Sequence, residues 1–555
     1  MKKYFSAGTS DFAEIQQNPQ AYFVDKSLLI RDVFNEMDKV ILLARPRRFG
    51  KTLNMSMLSE FFGKPESKAL FDGLLISKHP EIMAEQGNHP TIFLSLKDVK
   101  QTNHGEALRQ IAEVMSKTYE KFLFLRETLH PENQEIFNRI FKKTAETSEL
   151  SQSLLTLTKF LSEHFKKRVW IVLDEYDAPI HTAWQYDYYK DMVSFMQSYL
   201  GAAFKDNSYL YRGVMSGILR VSRENIFSGL NNVRVYSMLN PKYGEYFGFT
   251  QQEVDQVCQD FDLLPEREDI RRWYNGYQMG EVQLYNPWSI VNYTADKVLK
   301  AYWVNTSNNL IVKYLMARSS DMVKLKLEAL MRGEEVKVLI DEHSLLPNIN
   351  GTDSDAIWSF LLFSGYLKVL SLEYKGIKAS CSVAIPNQEI KYLYEEQLSA
   401  LFNSSDFSPE NYSKMLKALI NGNAVSFSNY LQQYLETSMS YFDAGRQEPE
   451  RFYHGFVLGI LVALKETHAV RSNRESGDGR YDIMVIPHDR SQVGIIMEFK
   501  IADSGSEQEM SQALDQAFEQ IESQGYEAEL VSLKIQKILK IAAVFYKKKM
   551  VMRCV

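Results

Sequence analysis

The chain has few cysteines, and none of them is paired in sequence. Among 555 residues there are three, Cys258, Cys381 and Cys554. Their scattered positions argue against a disulfide framework and against a cysteine-rich zinc site, and they suit a reducing compartment. We therefore expect a cytoplasmic protein.

Long hydrophobic runs are missing as well. No stretch approaches 18 consecutive apolar residues, and the most apolar one, WSFLLFSGYLKVL (358–370), is broken by Ser, Gly and Lys. The first residues, MKKYFSAGTSDF, hold two lysines without an apolar segment behind them. The sequence therefore predicts neither a membrane span nor a signal peptide.

The chain also lacks an excess of positive charge and a Gly/Ser-rich linker. Its net charge of -6 excludes a uniformly basic coat, so a nucleic-acid surface would have to be local. The basic cluster YKKKMVMR (546–553) could contact a nucleic-acid backbone, although such runs are more often solvated edges. With 45% hydrophobic and 12% aromatic residues the chain can build several cores, which at this length means about three or four domains.

Apolar runs alternate with helical patterns between residues 38 and 240. The runs that read as buried strands are KVILLA (39–44), TIFLSL (91–96), RVWIVLDE (168–175) and YLYRGVMSG (209–217). Strands separated by helices favour a parallel sheet covered on both faces. We predict an α/β domain over residues 1–240.

The rest of the chain divides into two further predicted domains. Residues 241–440 are rich in Tyr, Trp, Leu and Asn and are expected to be mostly helical, with WYNGYQMG and LYNPWS as turns. Their aromatics could stack on bases, but packing between short helices explains them better. Residues 441–555 combine two helical stretches with the strands RYDIMVIP and VGIIMEFK, which predicts a small α/β domain.

A glycine-lysine-threonine tripeptide follows the first predicted strand and opens a helix. Gly50 would let the backbone approach phosphates, Lys51 would place its ammonium between them, and Thr52 would offer a hydroxyl to Mg²⁺. The free N–H groups of the helix N-terminus also favour an anion there. The pattern predicts an ATP site, although the first glycine of the usual G-x-x-x-x-G-K-[ST] loop is replaced by Arg45.

Acidic residues end the strand RVWIVLDE. Asp174 is expected to hold Mg²⁺ and Glu175 to polarise the attacking water. Capping of the strand is the alternative interpretation for both. Asp177 is more readily explained by local structure.

Further polar residues follow the strand YLYRGVMSG. Ser216 could touch the terminal phosphate, and Arg220 or Arg223 could neutralise the charge that develops in phosphoryl transfer. Roles at an ordinary surface explain the two arginines equally well, and whether either acts in its own subunit or a neighbour's stays open.

The residues before the glycine are unusual for a phosphate loop. Arginines stand where small residues are common, and a proline stiffens the turn. Because positive charge can substitute for some backbone amides, the loop can still work. The predicted nucleotide-binding residues of the loop are Arg45, Pro46, Arg47, Arg48, Phe49, Gly50, Lys51 and Thr52.

The first part of the chain resembles the AAA-ATPase-like family of prokaryotic proteins, in which the loop typically reads R-P-R-R-F-G-K-[ST]. The resemblance covers roughly residues 5–250 and implies a P-loop ATP-binding domain. Asp25 and Lys26 match the family's VDK stretch, and a structural turn explains them at least as well as a functional role. The stretches that carry the resemblance are FVDKSLLI (23–30), LARPRRFGKTLNMSML (43–58), VLDEYDAPI (172–180) and GILRVSRENIFSGLNN (217–232).

A second set of charged residues lies on the two C-terminal strands. If HDRSQ (488–492) forms a hairpin turn, Asp482 falls opposite residues 497 to 499, and Glu498 and Lys500 share one face of their strand. Two carboxylates beside a lysine are suited to metal-dependent phosphodiester hydrolysis, with the acids holding Mg²⁺ or Mn²⁺ and the lysine orienting or deprotonating water. A salt-bridged strand pair is the alternative.

This spacing, D-x15-E-x-K, resembles the PD-(D/E)XK nuclease superfamily, and ESGDGRYDIMVIP…GIIMEFK is similar to the nuclease-like domain that often trails this ATPase family. The resemblance covers about residues 450–550. Tyr481 stands where many members have proline. Additional candidates for the site, each with an ordinary structural alternative, are Glu450, His454, Arg480, Gln516 and Gln520.

Three functions remain open at this level. The favoured one is an ATPase coupled to a metal-dependent nuclease that acts on DNA or RNA, and the pairing of families suggests defence against mobile elements. The second is a nucleotide-gated switch or nucleic-acid-binding protein with an inactive nuclease fold. The third is a regulatory ATPase that acts on protein. The expected ligands are ATP and Mg²⁺, a membrane is not expected, and a homo-oligomer is left open.

Overall fold

A computed structural model of the chain shows how these segments fold. It describes residues 3–6, 8–218, 232–303, 321–331, 333–342, 354–375, 378–394, 409–438, 467–476 and 479–555, together with 453, 457, 458, 460, 461 and 464. The chain forms two compact units. The first comprises residues 1–308 and 335–391, and the second comprises residues 309–334 and 392–555.

A five-stranded parallel sheet forms the centre of the first unit. Its strands run in the order β2-β3-β4-β1-β5, so β4 separates β1 from β3. Every residue of β1 and β3 is buried, as expected for strands covered on both faces. This confirms the predicted parallel sheet. The strands are β1 (Val40–Ala44), β2 (Thr91–Ser95), β3 (Val169–Asp174), β4 (Leu210–Gly217) and β5 (Val233–Tyr236).

Helices connect and flank these strands. Several begin at a side-chain cap, for example α1 at Asp11 and α5 at Asn103. The helix that follows β1 begins at Lys51 directly after Gly50. The helices of this part are α1 (Phe12–Gln17), α2 (Leu28–Phe34), α3 (Lys51–Gly63), α4 (Pro80–Met83), α5 (His104–Glu120), α6 (Pro131–Phe141), α7 (Thr147–Phe165), α8 (Ala178–Gln185) and α9 (Tyr189–Phe204).

The middle of the sequence adds helices and short sheets to the first unit. A capping box of Thr250 and Glu253 starts α10, and Asn286 caps α12 while Pro287 occupies its first position. The elements are α10 (Gln251–Asp260), α11 (Arg267–Tyr274), β6 (Tyr277–Met279), β7 (Val282–Leu284) and α12 (Pro287–Asp296). The stretch LYNPWS, predicted as a turn, therefore joins the end of β7 to the start of α12.

An antiparallel three-stranded sheet accompanies the predicted helices of this region. Its strand order is β8-β10-β9, and β9 and β10 form a hairpin. These strands were not predicted from the sequence. They are β8 (Val336–Ile340), β9 (Lys368–Lys375) and β10 (Lys378–Ala384), with α14 (Ser354–Phe363) packed against β8.

The second unit contains a mixed five-stranded sheet in the order β11-β12-β13-β14-β15. Only β13 and β14 run parallel, and the other neighbours are antiparallel. Separate apolar clusters cover the sheet, one with α15 (Pro409–Ile420) and α16 (Ala424–Ser438) and one with α17 (Glu507–Ser523). This confirms the predicted small α/β fold. The strands are β11 (His468–Ser476), β12 (Gly479–Pro487), β13 (Val493–Ile501), β14 (Lys537–Tyr546) and β15 (Lys549–Cys554). The helices are α13 (Asp321–Met331), α15 (Pro409–Ile420), α16 (Ala424–Ser438), α17 (Glu507–Ser523) and α18 (Ala528–Ser532).

None of the helices that the structure describes combines the length and the apolar character that crossing a membrane requires.

Candidate functional site

The carboxyl ends of three neighbouring strands bring polar residues together in the first unit. Ser95 ends β2, Asp174 ends β3 and Ser216 lies next to the end of β4. Ser95 and Asp174 are partners in the β2–β3 register, and Ser216 pairs with Leu43 of β1. In a parallel sheet these ends share one edge, and ligands commonly bind there.

Asp174 is the centre of this group and is fully buried. Thr52 Oγ1 donates to its Oδ2 at 2.7 Å, and Ser95 Oγ donates to the same oxygen at 3.4 Å. Ser216 Oγ donates to the other oxygen, Oδ1. The predicted pair of Thr52 and Asp174 therefore meets directly, although β4 separates their strands. Ser95 was missed by the sequence analysis, and its place at the end of the strand TIFLSL was the available signal.

The donor set at this point fits Mg²⁺. A hydroxyl and a carboxylate oxygen within 2.7 Å of each other are the protein ligands that a magnesium nucleotide uses, with phosphates and water completing the shell. Within the described part of the chain, no three or more His, Cys, Asp or Glu side chains form a metal-binding cluster. A cation here would thus depend on the nucleotide for much of its coordination.

Lys51 is folded back into its own loop. Its Nζ donates to the carbonyl oxygens of Arg45 at 3.2 Å and of Pro46 at 2.9 Å. Burial lowers the pKa of this lysine, and the carboxylates of Glu175 and Asp174 oppose that effect. The ammonium therefore lies inside the loop, beside the acidic strand end.

The loop turns into α3 through left-handed backbone conformations. Gly50 has a φ of 80°, and an added Cβ there would meet no atom within 4 Å. Glycine is needed for the backbone angle. Arg48 adopts a φ of 65° without that freedom. The first N–H groups of α3 have no acceptor within the helix, which makes this end suitable for an anion.

The Arg45 side chain is completely buried. Its Nη1 donates to the carbonyls of Ala44 (2.8 Å) and Tyr236 (2.6 Å), and its Nη2 donates to that of Lys242 at 3.2 Å. Burial lowers its pKa to about 9. The guanidinium thus ties β1 to β5 and the segment after β5.

The remaining loop residues contact the aromatic middle region. The Phe49 ring packs edge-on against Tyr277, with centroids 4.9 Å apart. The exposed Arg48 guanidinium lies over the ring of Trp288 at 4.2 Å. Partial loss of water around this guanidinium lowers the pKa of Arg48, and the charge of Glu175 opposes this. Other aromatics of this region pack with α10, α11 and α12 in a buried cluster, as predicted, while Tyr277 and Trp288 contact the loop.

Pro46 and Arg47 also lie against residues of the middle region. Trp303 Nε1 donates to the carbonyl of Arg47 at 3.0 Å. A Cβ added at Gly365, where φ is 88°, would come within 3.1 Å of the Pro46 ring. All four residues between Arg45 and Gly50 thus touch side chains or backbone from beyond the parallel sheet.

The residues after β3 have distinct surroundings. Glu175 has a φ of 50°, and its N–H lies 3.5 Å from Ser216 Oγ. Asp177 is buried, and its Oδ2 accepts from Ile218 N at 2.8 Å and contacts His181 Nε2 at 3.2 Å. This agrees with a local structural role for Asp177. Two further predicted residues, Arg220 and Arg223, lie outside the described residues.

The VDK stretch has a structural explanation. Asp25 accepts the N–H group of Ser27, directly before α2, and the N–H group of the distant Leu75. The buried Lys26 donates to both carboxylate oxygens of Glu253 (2.6 and 2.7 Å) and to the carbonyl of Glu245 at 2.6 Å. The pair therefore anchors α2 to its neighbours.

The second candidate site lies on β12 and β13 of the second unit. Ile483 pairs with Met497, so the antiparallel register places Asp482 opposite Glu498. Phe499 N donates to Asp482 Oδ2 at 2.7 Å, and Lys500 Nζ lies 3.7 Å from Glu498 Oε1. Burial raises the pKa of Asp482, while the Phe499 N–H and Lys500 oppose it. The two carboxylates and the lysine meet as the hairpin predicted.

A helix and the turn after it add two polar groups beside this pair. Gln520 of α17 donates from Nε2 to the hydroxyl of the buried Tyr526 at 3.1 Å. Burial raises the pKa of Tyr526, and the charges of Glu498 and Asp482 raise it further. Tyr526 was missed, because nothing in the sequence near it indicates proximity to β13. The candidates Glu450 and His454, and the side chain of Arg480, lie outside the described residues.

The fold and these two sites define a two-part class of protein, with a P-loop-type α/β domain at the N-terminus and a restriction-endonuclease-like α/β domain at the C-terminus. Comparison with protein-family models agrees. Residues 6–227 match the family described as Predicted AAA-ATPase, and residues 448–554 match the PD-(D/E)XK nuclease superfamily. The chain therefore pairs an AAA-ATPase-like domain with a PD-(D/E)XK nuclease-like domain, and both resemblances seen in the sequence are confirmed.

The chain is also similar to a protein of comparable length along nearly its whole sequence. A protein of Azotobacter chroococcum mcd 1, described as "Uncharacterized protein in vnfD 5'region", is 23% identical over 538 residues, which is 95% of this chain and 93% of that protein. The similarity therefore includes the middle region as well as both domains. No solved structure matches the chain.

Proposed function

We propose that the N-terminal site binds and hydrolyses ATP with Mg²⁺ and that its nucleotide state controls a metal-dependent nuclease in the C-terminal domain. The observation that carries the first half is the meeting of Thr52 with Asp174 at 2.7 Å. Thr52 lies at the start of α3, after β1, and Asp174 ends β3, so their contact requires the sheet order that places β1 and β3 on either side of β4. That arrangement suits a magnesium nucleotide.

In this proposal, each residue around this contact has a separate role in phosphoryl transfer. Lys51 would exchange its two loop carbonyls for phosphate oxygens, and Thr52 and Asp174 would hold Mg²⁺, which supplies charge neutralisation when it is bound. Glu175 would orient the attacking water and Ser216 would sense the terminal phosphate. The N–H groups at the start of α3 would bind phosphate oxygens.

The loop side chains have different tasks in this proposal. The exposed guanidinium of Arg48 would approach the phosphates, whereas Arg45 supports the loop from below through three carbonyl groups. Arg47 and Phe49 orient the backbone. The charge that develops on the transferred group would be neutralised by Arg48, Arg220 or Arg223.

The nuclease half rests on Asp482, Glu498 and Lys500. The carboxylates would hold Mg²⁺ or Mn²⁺, which supplies electrostatic stabilisation of the attacked phosphodiester when it is bound. Lys500 would orient or deprotonate the water. The Phe499 N–H fixes one oxygen of Asp482 and so orients that carboxylate. The substrate would be DNA or RNA, reached in the cytoplasm, and defence against mobile elements is the role that we favour.

A nucleotide-gated switch with an inactive nuclease fold is the second candidate. One observation favours it: Glu498 is only 2% exposed, and its Oε1 lies 3.7 Å from Lys500 Nζ. A lysine held by a buried carboxylate is also what a purely structural strand pair would show. This candidate would bind nucleic acid without cutting it.

Two assays on the purified full-length chain test the proposal. Phosphate release from ATP is measured for the native protein, for Lys51→Ala and for the exposed control Lys97→Ala. We expect loss of hydrolysis in Lys51→Ala alone. Cleavage of mixed DNA and RNA with Mg²⁺ or Mn²⁺, with and without ATP, is measured for Glu498→Gln and for the exposed control Glu507→Gln.

Each outcome separates the candidates. Cleavage that is lost in Glu498→Gln and altered in Lys51→Ala supports a nucleotide-controlled nuclease. If the protein hydrolyses ATP but cleaves no nucleic acid, the nuclease function is refuted and the nucleotide-gated switch is supported. Absence of both ATP binding and ATP hydrolysis in the native protein would refute the ATPase.

A further inference from the structure

One of the contacts between the phosphate loop and the middle region is made by a buried tryptophan to the loop backbone. Trp303 is 1% exposed, and its indole N–H donates to the carbonyl of Arg47 at 3.0 Å. Its ring lies against Tyr366, at 5.2 Å between centroids, and near Tyr277, at 6.4 Å. Tyr277 in turn contacts Phe49 of the loop. The indole therefore contacts the loop backbone directly at Arg47, and it contacts the Phe49 side chain of the loop indirectly, through Tyr277.

The hydrogen bond to Arg47 fixes the orientation of a peptide unit. The structure contains no cis peptide bond among the described residues. In a trans peptide the C=O and the following N–H point in opposite directions. Because the Arg47 carbonyl faces Trp303, the N–H of Arg48 faces the other way. A phosphate loop needs its N–H groups turned toward the anion, and this contact holds one of them in a single orientation.

The position of Trp303 is itself fixed by a buried carboxylate. Glu389 is fully buried, and its Oε1 accepts the backbone N–H of Trp303 at 2.6 Å. Its Oε2 accepts Ser289 Oγ at 2.8 Å. Ser289 belongs to α12, one residue after Trp288, which lies under Arg48. Glu389 thus joins the two tryptophans that contact the loop.

We propose that Trp303 is a positioning residue for the phosphates of the bound nucleotide, and that Glu389 acts by holding Trp303 in place. The inference rests on the proposed ATP site and adds to it a residue more than 250 positions away in sequence. Neither side chain touches the nucleotide in this arrangement. They determine which way the loop backbone presents its N–H groups.

The main test is Trp303→Phe, which keeps an aromatic ring beside Tyr277 and Tyr366 and removes the indole N–H. Affinity for Mg²⁺-ATP, Mg²⁺-ADP, inorganic pyrophosphate and adenosine is measured by calorimetry, beside Trp273→Phe as the matched control on α11. Loss of one hydrogen bond of this kind corresponds to roughly a three- to tenfold rise in Kd. We expect that rise for the ligands with two or more phosphates and no change for adenosine.

A merely structural tryptophan would give a different pattern. Trp303→Phe would then lower thermal stability but leave the Kd for Mg²⁺-ATP as in Trp273→Phe, and that result would overturn the inference. An equal loss of affinity for adenosine would overturn it too. If the native protein binds no ATP, the proposed function fails first and this inference falls with it, so the two failures are distinguishable.

A second pair of variants covers the case in which Trp303→Phe does not fold. Glu389→Gln keeps an amide oxygen that can accept the Trp303 N–H, whereas Glu389→Ala removes the acceptor. We expect near-native ATP affinity in the glutamine variant and a three- to tenfold higher Kd in the alanine variant. Equal affinities for both variants would refute the positioning role.

Discussion

Replacing Glu389 by glutamine should change how the stability of the first unit depends on pH. This carboxylate is fully buried, and its hydrogen bonds with Trp303 N and Ser289 Oγ do not fully offset the loss of water around its charge. Burial raises its pKa from 4.5 to about 7. Glutamine has the same shape and never carries the charge, so it removes the titration and keeps the packing.

The sign and size of the effect follow from proton linkage. A carboxyl group with a raised pKa in the folded state contributes stability that is present below pH 4.5 and is lost as the pH rises through about 7. Two and a half pKa units correspond to about 3 kcal/mol over the full range. Between pH 5 and pH 8, about 2–3 kcal/mol of this should appear. We therefore subtract the free energy of unfolding of Glu389→Gln from that of the native protein at each pH. This difference should be lower at pH 8 than at pH 5 by that amount.

Tryptophan fluorescence during urea unfolding measures this difference in free energy of unfolding for the first unit, which contains Glu389. All six tryptophans belong to residues 1–308 and 335–391, so their emission reports the first unit. Subtracting the two proteins at each pH cancels every other titrating group. Glu281→Gln, on the exposed turn between β6 and β7, is the matched control. If the difference in free energy of unfolding between the native protein and Glu389→Gln stays constant from pH 5 to pH 8, Glu389 does not have the raised pKa described above.

Three further predictions concern individual contacts. Arg45→Met should lower the free energy of unfolding of the first unit by about 2 kcal/mol or more, because three carbonyl groups lose a buried charged donor, and an unchanged urea midpoint would contradict this. Thr52→Val should reduce the rate of phosphate release from ATP at least about tenfold and Thr52→Ser should restore it, since only the hydroxyl contacts Asp174. Tyr526→Phe should reduce nucleic-acid cleavage without changing ATP hydrolysis, because its hydroxyl binds Gln520 beside the carboxylate pair; a parallel loss of both activities would refute a local role.

Much of the sheet architecture could be predicted because its signals are local. Apolar runs of five or six residues between helical patterns mark buried strands, and KVILLA and RVWIVLDE became β1 and β3 within a residue or two. The hairpin register of Asp482 and Glu498 also followed from local spacing, since alternate residues share a face. Both candidate sites lie on elements of this kind.

The direction of the loop side chains could not be predicted in the same way. The sequence shows three arginines before a glycine, and counting their charges suggests that all face the phosphates. Arg45 instead reaches Tyr236 and Lys242, which lie about 190 residues further along the chain. The strands β8, β9 and β10 were not predicted for a related reason. Alternation of buried and exposed residues, as in VKVLI of β8, is a weak signal in a region whose composition favours helices.

The departure from the usual phosphate loop is best explained by these long-range contacts. Small residues let an ordinary loop wrap closely around phosphates, with its shape set by its own backbone. Here Pro46, Arg47, Arg48 and Phe49 each contact the middle region, so the shape is imposed from outside by Gly365, Trp303, Trp288 and Tyr277. A loop built in this way cannot be separated from the middle region without losing its conformation. We therefore expect the parallel-sheet domain, produced alone as residues 1–240, to bind ATP more weakly than the full chain even if it folds.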